Sequence, residues 1–599
     1  MDVELQKRVN EAVHALGQLS SQPIDFNQMD SVTKMMLVAL VSESLKVQEY
    51  TDSAVERIVE RFCTDFIPRQ KVEATPAVCL LQLQAKAESG MTTVNGGTEF
   101  SYKGPDGKVT LNYIPLFNTA MLPHKGIFQL NYRTMSLGEN AMDIELDKNN
   151  PNQLWMGIRT NAEVNSMKGL SILIRGTEGI QPEHITVANT NHELEFSSMH
   201  SMENIEMAEP FDAQQSSAEF FSLIDNWKDC LLNITDGCLL YITDTKVDRD
   251  LFKPRQFPKV FQQWLESEVL DLFDPSTIWL RLDFPEGYVV PDDVMVELNV
   301  LPVTNIDINS LMLTQAQPVA KLESQEGAFF LRILETSTTA HNQGFNMNGE
   351  EILIRDFDAR CYNNGDLYRD VRNLYNRFID DYYAFIEYNG IKDGEVLKNL
   401  RETINRVGKS VGMQNDTFKY DSGTFVMKTM NQMQSTSSTK VTYITTMGRI
   451  GNAPRSGEKM ECKGMPALEQ EAQVLVSAMG GTDKATADER YEQLRYYSLT
   501  NDRLYTRMDI DAFLRKELIN EFGREEFRRI IVDMRIEGAA GGSQLQRGLY
   551  IMIEFKDHKN YDHAEDIALD RMLEQRIRNR SCIAMPIIIT LKDLEEDNN

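Results

Sequence analysis

The first 70 residues carry apolar side chains at the spacing of an α-helix. Apolar positions that recur every three or four residues lie on one face of a helix. Three stretches follow this rule, and their apolar positions are Leu5, Val9, Ala12, Val13 and Leu16; Met35, Met36, Leu40 and Leu45; and Val55, Ile58, Val59 and Phe62. The pattern predicts an N-terminal helical segment over residues 1–70. Its narrow apolar faces pack either within the chain or against helices of a partner.

From about Thr75 the apolar period changes to two residues, which is typical of β-strands. The clearest strand signals are short apolar or alternating runs, at residues 77–83, 128–132, 170–174, 278–284 and 294–300. Many short strands with irregular connections predict a β-rich region over residues 71–355, made of one or two domains. A helical insertion near residues 216–230 separates its two parts.

Residues 356–412 have the pattern of a helical hairpin. The first helix carries an aromatic stripe that includes Leu374, Phe378 and Phe385, and it ends at Gly390, where glycine readily adopts a left-handed cap. A second helix follows and ends at Gly408. The size of the aromatic side chains indicates that the stripe buries a large area, either within the chain or against another subunit.

Residues 413–599 form the last predicted region. A polar tract at residues 434–439 predicts a loop, and Thr506 followed by Asp509 predicts a capping box at the start of a helix. Strands at 530–536 and 549–555, a helix over 567–577 and a strand at 583–591 then give the β–β–α–β order of a small α+β domain. The fold class is therefore α+β multidomain, with N-terminal helices, β-rich middle domains, a helical hairpin and a small C-terminal α+β domain.

Composition indicates a large globular protein of the cytoplasm. The 599 residues are 42% hydrophobic and 25% charged, which is ordinary for folded domains. The formal net charge of −28 disfavours nucleic acid and anionic lipid as partners. Seven scattered cysteines fit a reducing compartment. We see neither a signal peptide at the N-terminus nor an apolar run of about 20 residues, so we expect no direct membrane insertion.

The sequence contains no recognisable motif of a catalytic, nucleotide-binding or metal site. Residues 451–459 resemble a phosphate-binding loop, but five residues separate the glycines and Glu458 precedes the lysine. His192 and His200 lack the spacing of a metal site, and the acidic cluster at residues 244–250 lacks the glycine and the final glutamate of a calcium loop. We expect no catalytic residue, cofactor or metal. A serine, cysteine or threonine nucleophile stays open, because triad partners meet in space and not in sequence.

The chain contains the runs VERIVERF (55–62), GTEF (97–100) and LNVLPVTN (298–305), which resemble motifs of the TssF family of type VI secretion baseplate subunits, in a divergent form. Residues 55–62 (VERIVERF) are similar to the family's VERLLEAF helix, and a proline exit at Pro68 and the run 74–78 (ATPAV) follow in order. Residues 97–100 (GTEF) and 114–116 (IPL) are similar to its next two motifs. The most telling stretch is 298–305 (LNVLPVTN), followed by 317–319 (QPV), where the family has LNCVPVVNLF and a later proline. Leu301 and Thr304 depart from that pattern.

Two further observations belong to this resemblance. By its residues alone, the run 294–300 is a strand that ends at Pro302, because proline removes a ladder donor. The segment 499–510, with the strands and helix after it, is also similar to baseplate wedge proteins of contractile phages. The matches occur in the same order as in the family across most of the chain.

The resemblance implies a structural wedge subunit and a set of partners. It implies assembly with a TssG-like subunit, a second copy of this chain, a TssK-like adaptor, a TssE-like sheath initiator and the spike hub. The faces carrying Leu5, Val9 and Val13 and carrying Leu374, Phe378 and Phe385 are the candidate assembly surface. The alternatives are a β-rich module that binds carbohydrate or peptide on an exposed aromatic platform and, ranked last, a hydrolase.

Overall fold

The structure is a computed structural model. It describes residues 74–357 and 438–593 apart from short gaps, residues 423–428, residues 399, 402 and 406, and parts of 8–44 (8–9, 12–13, 16, 26, 29–41 and 44). The gaps are 88–89, 105–109, 138–139, 144–149, 178, 191, 210, 212–217, 255–256, 272, 274, 323–326, 341–342, 347–351, 486, 501, 524–526 and 539–544. Helices α1–α7 and strands β1–β28 are numbered below along the chain.

The chain forms two compact units that are not consecutive in sequence. One contains Met1–Ile67, Val319–Lys321 and Leu353–Met427, and the other contains Pro68–Pro318, Leu322–Ile352 and Lys428–Asn599. This division differs from the four consecutive segments 1–70, 71–355, 356–412 and 413–599, because most of the second and fourth segments share one unit. Strands that are distant in sequence pair with each other there, and local patterns carry no signal of such pairing.

A closed barrel of six strands lies in the larger unit, in the order β1-β16-β4-β3-β24-β25. Its strands are β1 (Val78–Gln82), β3 (Glu99–Lys103), β4 (Thr110–Pro115), β16 (Val300–Thr304), β24 (Lys459–Lys463) and β25 (Glu471–Met479). Inward-facing side chains such as Phe100, Tyr113 and Met460 are fully buried, so the barrel interior is a packed core. The short strands β2 (Thr92–Val94) and β5 (Thr119–Met121) pair beside it.

Two sheets of the same unit form a sandwich. The six-stranded sheet has the order β11-β14-β9-β6-β7-β8 and the four-stranded sheet the order β12-β13-β10-β15. The strands are β6 (Gly126–Leu130), β7 (Thr134–Leu137), β8 (Asn140–Asp143), β9 (Gln153–Arg159), β10 (Ser171–Arg175), β11 (His184–Val187), β12 (Phe196–Ser198), β13 (Leu239–Ile242), β14 (Thr277–Asp283) and β15 (Met295–Leu298). Met156, Ile172 and Leu280 belong to one buried cluster that joins the two sheets.

Helices cover parts of these sheets. Helix α1 (Ala218–Thr235) is the predicted insertion, and its fully buried Trp227 packs with residues of the barrel and of the four-stranded sheet. Short helices α2 (Phe261–Trp264) and α3 (Ser267–Leu270) lie over the outer face of the six-stranded sheet. Two 3-10 segments, Met199–Asn204 and Gly448–Asn452, complete the connections.

Two smaller sheets follow the sandwich in sequence. One has the order β17-β23-β19-β20 and the other β18-β22-β21. Their strands are β17 (Asp307–Leu313), β18 (Val319–Lys321), β19 (Phe329–Ala340), β20 (Gln343–Asn346), β21 (Ile352–Phe357), β22 (Gly423–Lys428) and β23 (Ser438–Thr446). Ser438 and Thr439 are in a strand, so the prediction of a loop at these two positions is wrong. Pairing with a distant strand overrides their polar local sequence.

The C-terminal region confirms the predicted order of two strands, a helical segment and a third strand, with two consecutive helices where one was predicted. It consists of α4 (Ala487–Thr500), α5 (Arg507–Phe522), β26 (Phe527–Gly538), β27 (Leu545–Phe555), α6 (His558–Asp566), α7 (Leu569–Arg580) and β28 (Ile587–Lys592). Strands β26 and β27 are antiparallel, and β28 pairs with β27 in parallel. Thr506 and Asp509 form the predicted capping box at the start of α5. The predicted hairpin of residues 356–412 lies outside the described residues except at 356–357, which are the end of β21, and at 399, 402 and 406. The hairpin stays a prediction.

Candidate functional site

The candidate assembly residues of the first helix are only partly described. Val9 and Val13 are in helical conformation and are buried, with 2% and 7% of their surface exposed. That part of the first helical face therefore packs within this chain. Leu5, Leu374, Phe378 and Phe385 lie outside the described residues. For these four positions the assembly surface stays a proposal.

The second helical stretch exposes a larger apolar surface than the sequence analysis assigned to it. A helix spans residues 31–41, and Asp30 caps it by accepting hydrogen bonds from the Val32 and Thr33 amides at 3.0 Å. Val32, Met35, Met36 and Leu40 are 62–72% exposed. A helix that is apolar on most of its surface is normally buried, so exposure of these side chains is unusual. We therefore treat these four side chains as the exposed apolar helix face of the smaller unit.

The segment that resembles a phosphate loop is a structural turn. Gly451 and Asn452 belong to a 3-10 segment, and Lys459 begins β24, where its ammonium pairs with Glu471 at 2.6 Å. The Gly457 amide donates to the Val474 carbonyl at 2.8 Å. Backbone amides that bond within the protein do not form a cradle for phosphate oxygens.

The histidine and aspartate candidates also have structural partners. His192 Nε2 contacts the Asp244 carboxylate at 2.5 Å, and Asp244 is buried. Asp248 accepts a hydrogen bond from the Asp250 amide at 3.0 Å, which is a local turn. Across the part of the chain that the structure describes, no group of three or more His, Cys, Asp or Glu side chains is arranged to hold a metal ion. None of the helices described is long and apolar enough to cross a membrane.

The segment 298–305 joins three parts of the larger unit. Asn299 lies between β15, a sandwich strand, and β16, a barrel strand, and it has a left-handed φ of 59°. Its fully buried amide accepts a hydrogen bond from the Leu122 N–H and donates one to the Leu122 carbonyl, both at 2.9 Å. The Asn299 side chain thus makes the two hydrogen bonds that the backbone of a neighbouring strand would otherwise make to Leu122. It does so at the point where the chain passes from the sandwich to the barrel.

Asn305 performs a similar role at the other end of β16. Its fully buried side-chain oxygen accepts from the Met447 N–H at 3.0 Å and from the Thr446 hydroxyl at 3.2 Å. Its amide nitrogen donates to the Asn112 carbonyl at 2.9 Å. These bonds connect β16, β4 and the end of β23. The motif is visible in the sequence, but the function of its asparagines is visible only in the structure.

The expectation that Pro302 ends a strand is wrong. The strand break is at Asn299, and β16 continues through Pro302 in antiparallel pairing with β1. Asn299 accepts a hydrogen bond from the residue after β1, and Asn305 donates one to the residue before it. Residues along β16 therefore alternate between those whose backbone groups face β1 and those whose backbone groups face β4. Pro302 is one that faces β4, so its missing N–H does not interrupt the pairing with β1. Its carbonyl accepts from the Leu116 amide at 3.0 Å, where β4 has already ended.

Similar solved structures include two of type VI secretion baseplates. No family model matches the chain, and no curated protein matches it. A solved structure of the type VI secretion system TssK-TssF-TssG baseplate subcomplex contains a chain of 10% identity and TM-score 0.41, with 94% of this chain and 97% of that chain covered. The baseplate complex from the type VI secretion system contains one of 11% identity and TM-score 0.35, with 98% and 95% covered. Both TM-scores are below 0.5, so the case for function rests on the residues of this chain.

Proposed function

We propose that this chain is a structural wedge subunit of a type VI secretion baseplate, acting through protein–protein contacts in the cytoplasm, next to a membrane-anchored machine. Its partners would be a TssG-like subunit, a second copy of itself, a TssK-like adaptor, a TssE-like sheath initiator and the spike hub. Its mechanism would be mechanical, with interfaces that have one packing before firing and another afterwards. No catalytic step is part of the proposal.

The observation that carries the proposal is the role of the segment 298–305. This segment has the most specific resemblance to the family, and it contains two asparagines at the positions where the family motif has them. Asn299 and Asn305 are both fully buried, and their side chains bond to backbone groups of other segments. A motif whose asparagines join a barrel to a sandwich fits a framework subunit. The matched residues thus have a stated physical role in this chain.

The exposed apolar helix face supports assembly through helices. Four large apolar side chains at 62–72% exposure leave several hundred Å² of apolar surface in water, a patch size that marks interaction sites. Methionine is frequent on surfaces that bind helices, because its flexible thioether fits many shapes. We propose that Val32, Met35, Met36 and Leu40 belong to the assembly surface, together with the predicted stripe of Leu374, Phe378 and Phe385.

The alternative function, a β-rich module that binds carbohydrate or peptide, requires an exposed aromatic platform. The four tryptophans do not form one. Trp155, Trp227 and Trp279 are buried, at 5% exposure or less. Trp264 is half-buried, and its ring centroid is 6.1 Å from that of Trp155. These side chains build cores instead of a flat exposed platform.

The proposal is tested by affinity purification of the tagged chain from its native cell extract, with mass spectrometry of the proteins recovered. We expect TssG-like and TssK-like proteins in a fixed ratio. Met35→Glu with Met36→Glu should abolish that recovery, because each carboxylate would have to be desolvated at the interface. Val247→Glu is the matched control, since Val247 is an apolar side chain with 73% exposure in the larger unit.

Two outcomes would contradict the proposal. Recovery of the chain without any partner would refute the baseplate role. Unchanged recovery of partners with the double variant would refute the helix face while leaving the role intact. Val9 and Val13 are unsuitable for this test, because their burial means that a charge there would disturb the fold of the chain itself.

A further inference from the structure

The C-terminal α+β unit, residues 487–593, has a hydrophobic core of its own. Among the residues described, the buried members of that core come from this unit except Met479 at the end of β25, and Ile234 of α1 packs at its edge. A body with its own core keeps its fold when its neighbours move, because little apolar area is lost. The apolar connection to the barrel is therefore narrow.

Polar contacts make up much of the remaining connection. Arg449, in the 3-10 segment that follows β23, donates to the carbonyls of Ile519 and Asn520 at 3.0 and 3.3 Å. These carbonyls lie in the last turn of α5, which contains no basic residue of its own. Arg449 supplies the positive charge that stabilises a helix C-terminus. It also lies 3.6 Å from the Glu489 carboxylate of α4.

Two neighbouring contacts extend this connection. Asn452 forms two hydrogen bonds of 2.9 Å with the Gly481 backbone on the barrel side, and its amide also donates to the Glu521 carboxylate at 3.2 Å. His563 of α6 contacts the same carboxylate at 3.3 Å and the Arg455 guanidinium on its other ring nitrogen. We call Arg449, Asn452, Arg455, Glu521 and His563 the polar latch.

The latch leaves some of its polar groups unsatisfied. In the part of the chain that is described, the buried Nε of Arg449 and the buried Oε1 of Gln493 have no hydrogen-bond partner. Gln493 lies next to the latch, where its amide nitrogen donates to the Asn520 side chain at 3.3 Å. A partly satisfied buried network stabilises contact less than a complete one. The contact between the C-terminal unit and the barrel, called the joint below, thus has a small apolar area and an incomplete network of polar contacts.

We propose that the polar latch is a release device, and that residues 487–593 undock from the barrel as one folded unit when it opens. The device gives the chain a second discrete arrangement without unfolding either core. Arg449 is a positioning residue in this scheme, because it fixes the last turn of α5 against the barrel connection.

Two buried thiols provide the test. Cys230 is fully buried at the joint, where Arg576 and Glu521 of the C-terminal unit act electrostatically on its thiol. Cys79 is fully buried inside the barrel. Undocking exposes the first thiol and leaves the second buried. Pulsed alkylation of the native full-length chain, read by peptide mass spectrometry, separates the two.

Arg449→Met should raise the alkylation rate of Cys230 about tenfold to a hundredfold, the range expected for losing a charged hydrogen bond, and leave Cys79 unchanged. Arg507→Met is the matched control, because Arg507 pairs with Asp533 inside the C-terminal unit, and it should change neither rate. Arg449→Lys, which keeps the charge, should give an intermediate rate. Equal acceleration of both thiols, or no acceleration of Cys230 in either Arg449 variant, would overturn the proposal.

Discussion

Substitution of Asn299 tests how the barrel is joined to the sandwich. The side chain of Asn299 has two roles, since it accommodates a left-handed φ of 59° and pairs with both backbone groups of Leu122. Asn299→Ala removes both at once. Asn299→Gly restores only the conformational freedom, because glycine adopts positive φ without steric cost.

The expected loss is large because both affected backbone groups are buried. Leu122 has no exposed surface, so its N–H would be left without a partner, at about 1–3 kcal/mol. Its C=O would lose one bond, at about 0.5–1.5 kcal/mol, but would keep its contact with His124 Nδ1 at 3.1 Å. Placing alanine in the left-handed region adds about 1–2 kcal/mol. We expect Asn299→Ala to lower the free energy of unfolding by about 3–6 kcal/mol, and Asn299→Gly by about 1 kcal/mol less. Contributions of this kind are not strictly additive.

Asn189 offers a matched control in the same unit. It has the same φ of 59° but is exposed, and among the residues described its side chain accepts a single hydrogen bond, from the Lys259 amide at 3.1 Å. Asn189→Ala should therefore cost about 1–3 kcal/mol, mostly from backbone strain. The difference between the two alanine variants measures the contribution of the buried amide.

The assay is urea unfolding followed by tryptophan fluorescence. Trp155 and Trp279 lie on adjacent strands of the sandwich and report on its unfolding. The midpoint should shift strongly for Asn299→Ala, with an unchanged slope. If Asn299→Ala and Asn189→Ala lie within about 0.5 kcal/mol of each other, the buried amide does not stabilise the junction and this reasoning is refuted.

Four further predictions follow from particular residues. Burial lowers the pKa of His124, so below about pH 6.5 the unfolded chain binds a proton that the native chain does not. The free energy of unfolding should therefore fall as the pH is lowered from about 6.5 to the pKa of His124 in the native chain. Urea titrations at several pH values should show a weaker fall in His124→Gln. Thr506→Ala should cost about 1 kcal/mol by removing the capping box of α5, whereas Thr506→Ser should be near neutral in thermal unfolding. Gly481→Ala should lower soluble expression and the melting temperature, because its Cβ would lie 2.3 Å from the Gly448 carbonyl oxygen. Gly90→Ala should change neither, because no atom lies within 4 Å of the added Cβ. Burial raises the pKa of Cys230 to about 12, so thiol titration of the native protein should show one fast-reacting group fewer in Cys582→Ser and no change in Cys230→Ser.

Local sequence patterns predicted the elements better than their arrangement. The capping box at Thr506, the insertion helix α1 and the order β26, β27, helix, β28 were all predicted, because each depends on residues close in sequence. The barrel was not predicted, since β24 and β25 pair with strands more than 300 residues earlier. The periodicity of a short segment indicates that it is a strand but does not indicate which distant strand it pairs with.

The asparagines of the segment 298–305 illustrate the same limit at the level of single residues. A strand pattern predicts which side chains face a core, but it does not show that Asn299 bonds to Leu122, 177 positions away. The residue type was the signal in the sequence, since asparagine tolerates a left-handed φ better than most residues do. For the assembly surface, burial of Val9 and exposure of Met35 could not be told apart in sequence, because both lie on apolar helical faces.

The most direct test of the central claim is native mass spectrometry of the complex purified through a tag on this chain. The proposed wedge role predicts one dominant species with a fixed, whole-number composition that contains two copies of this chain and a TssG-like subunit. A dominant species with the mass of a single chain would contradict it.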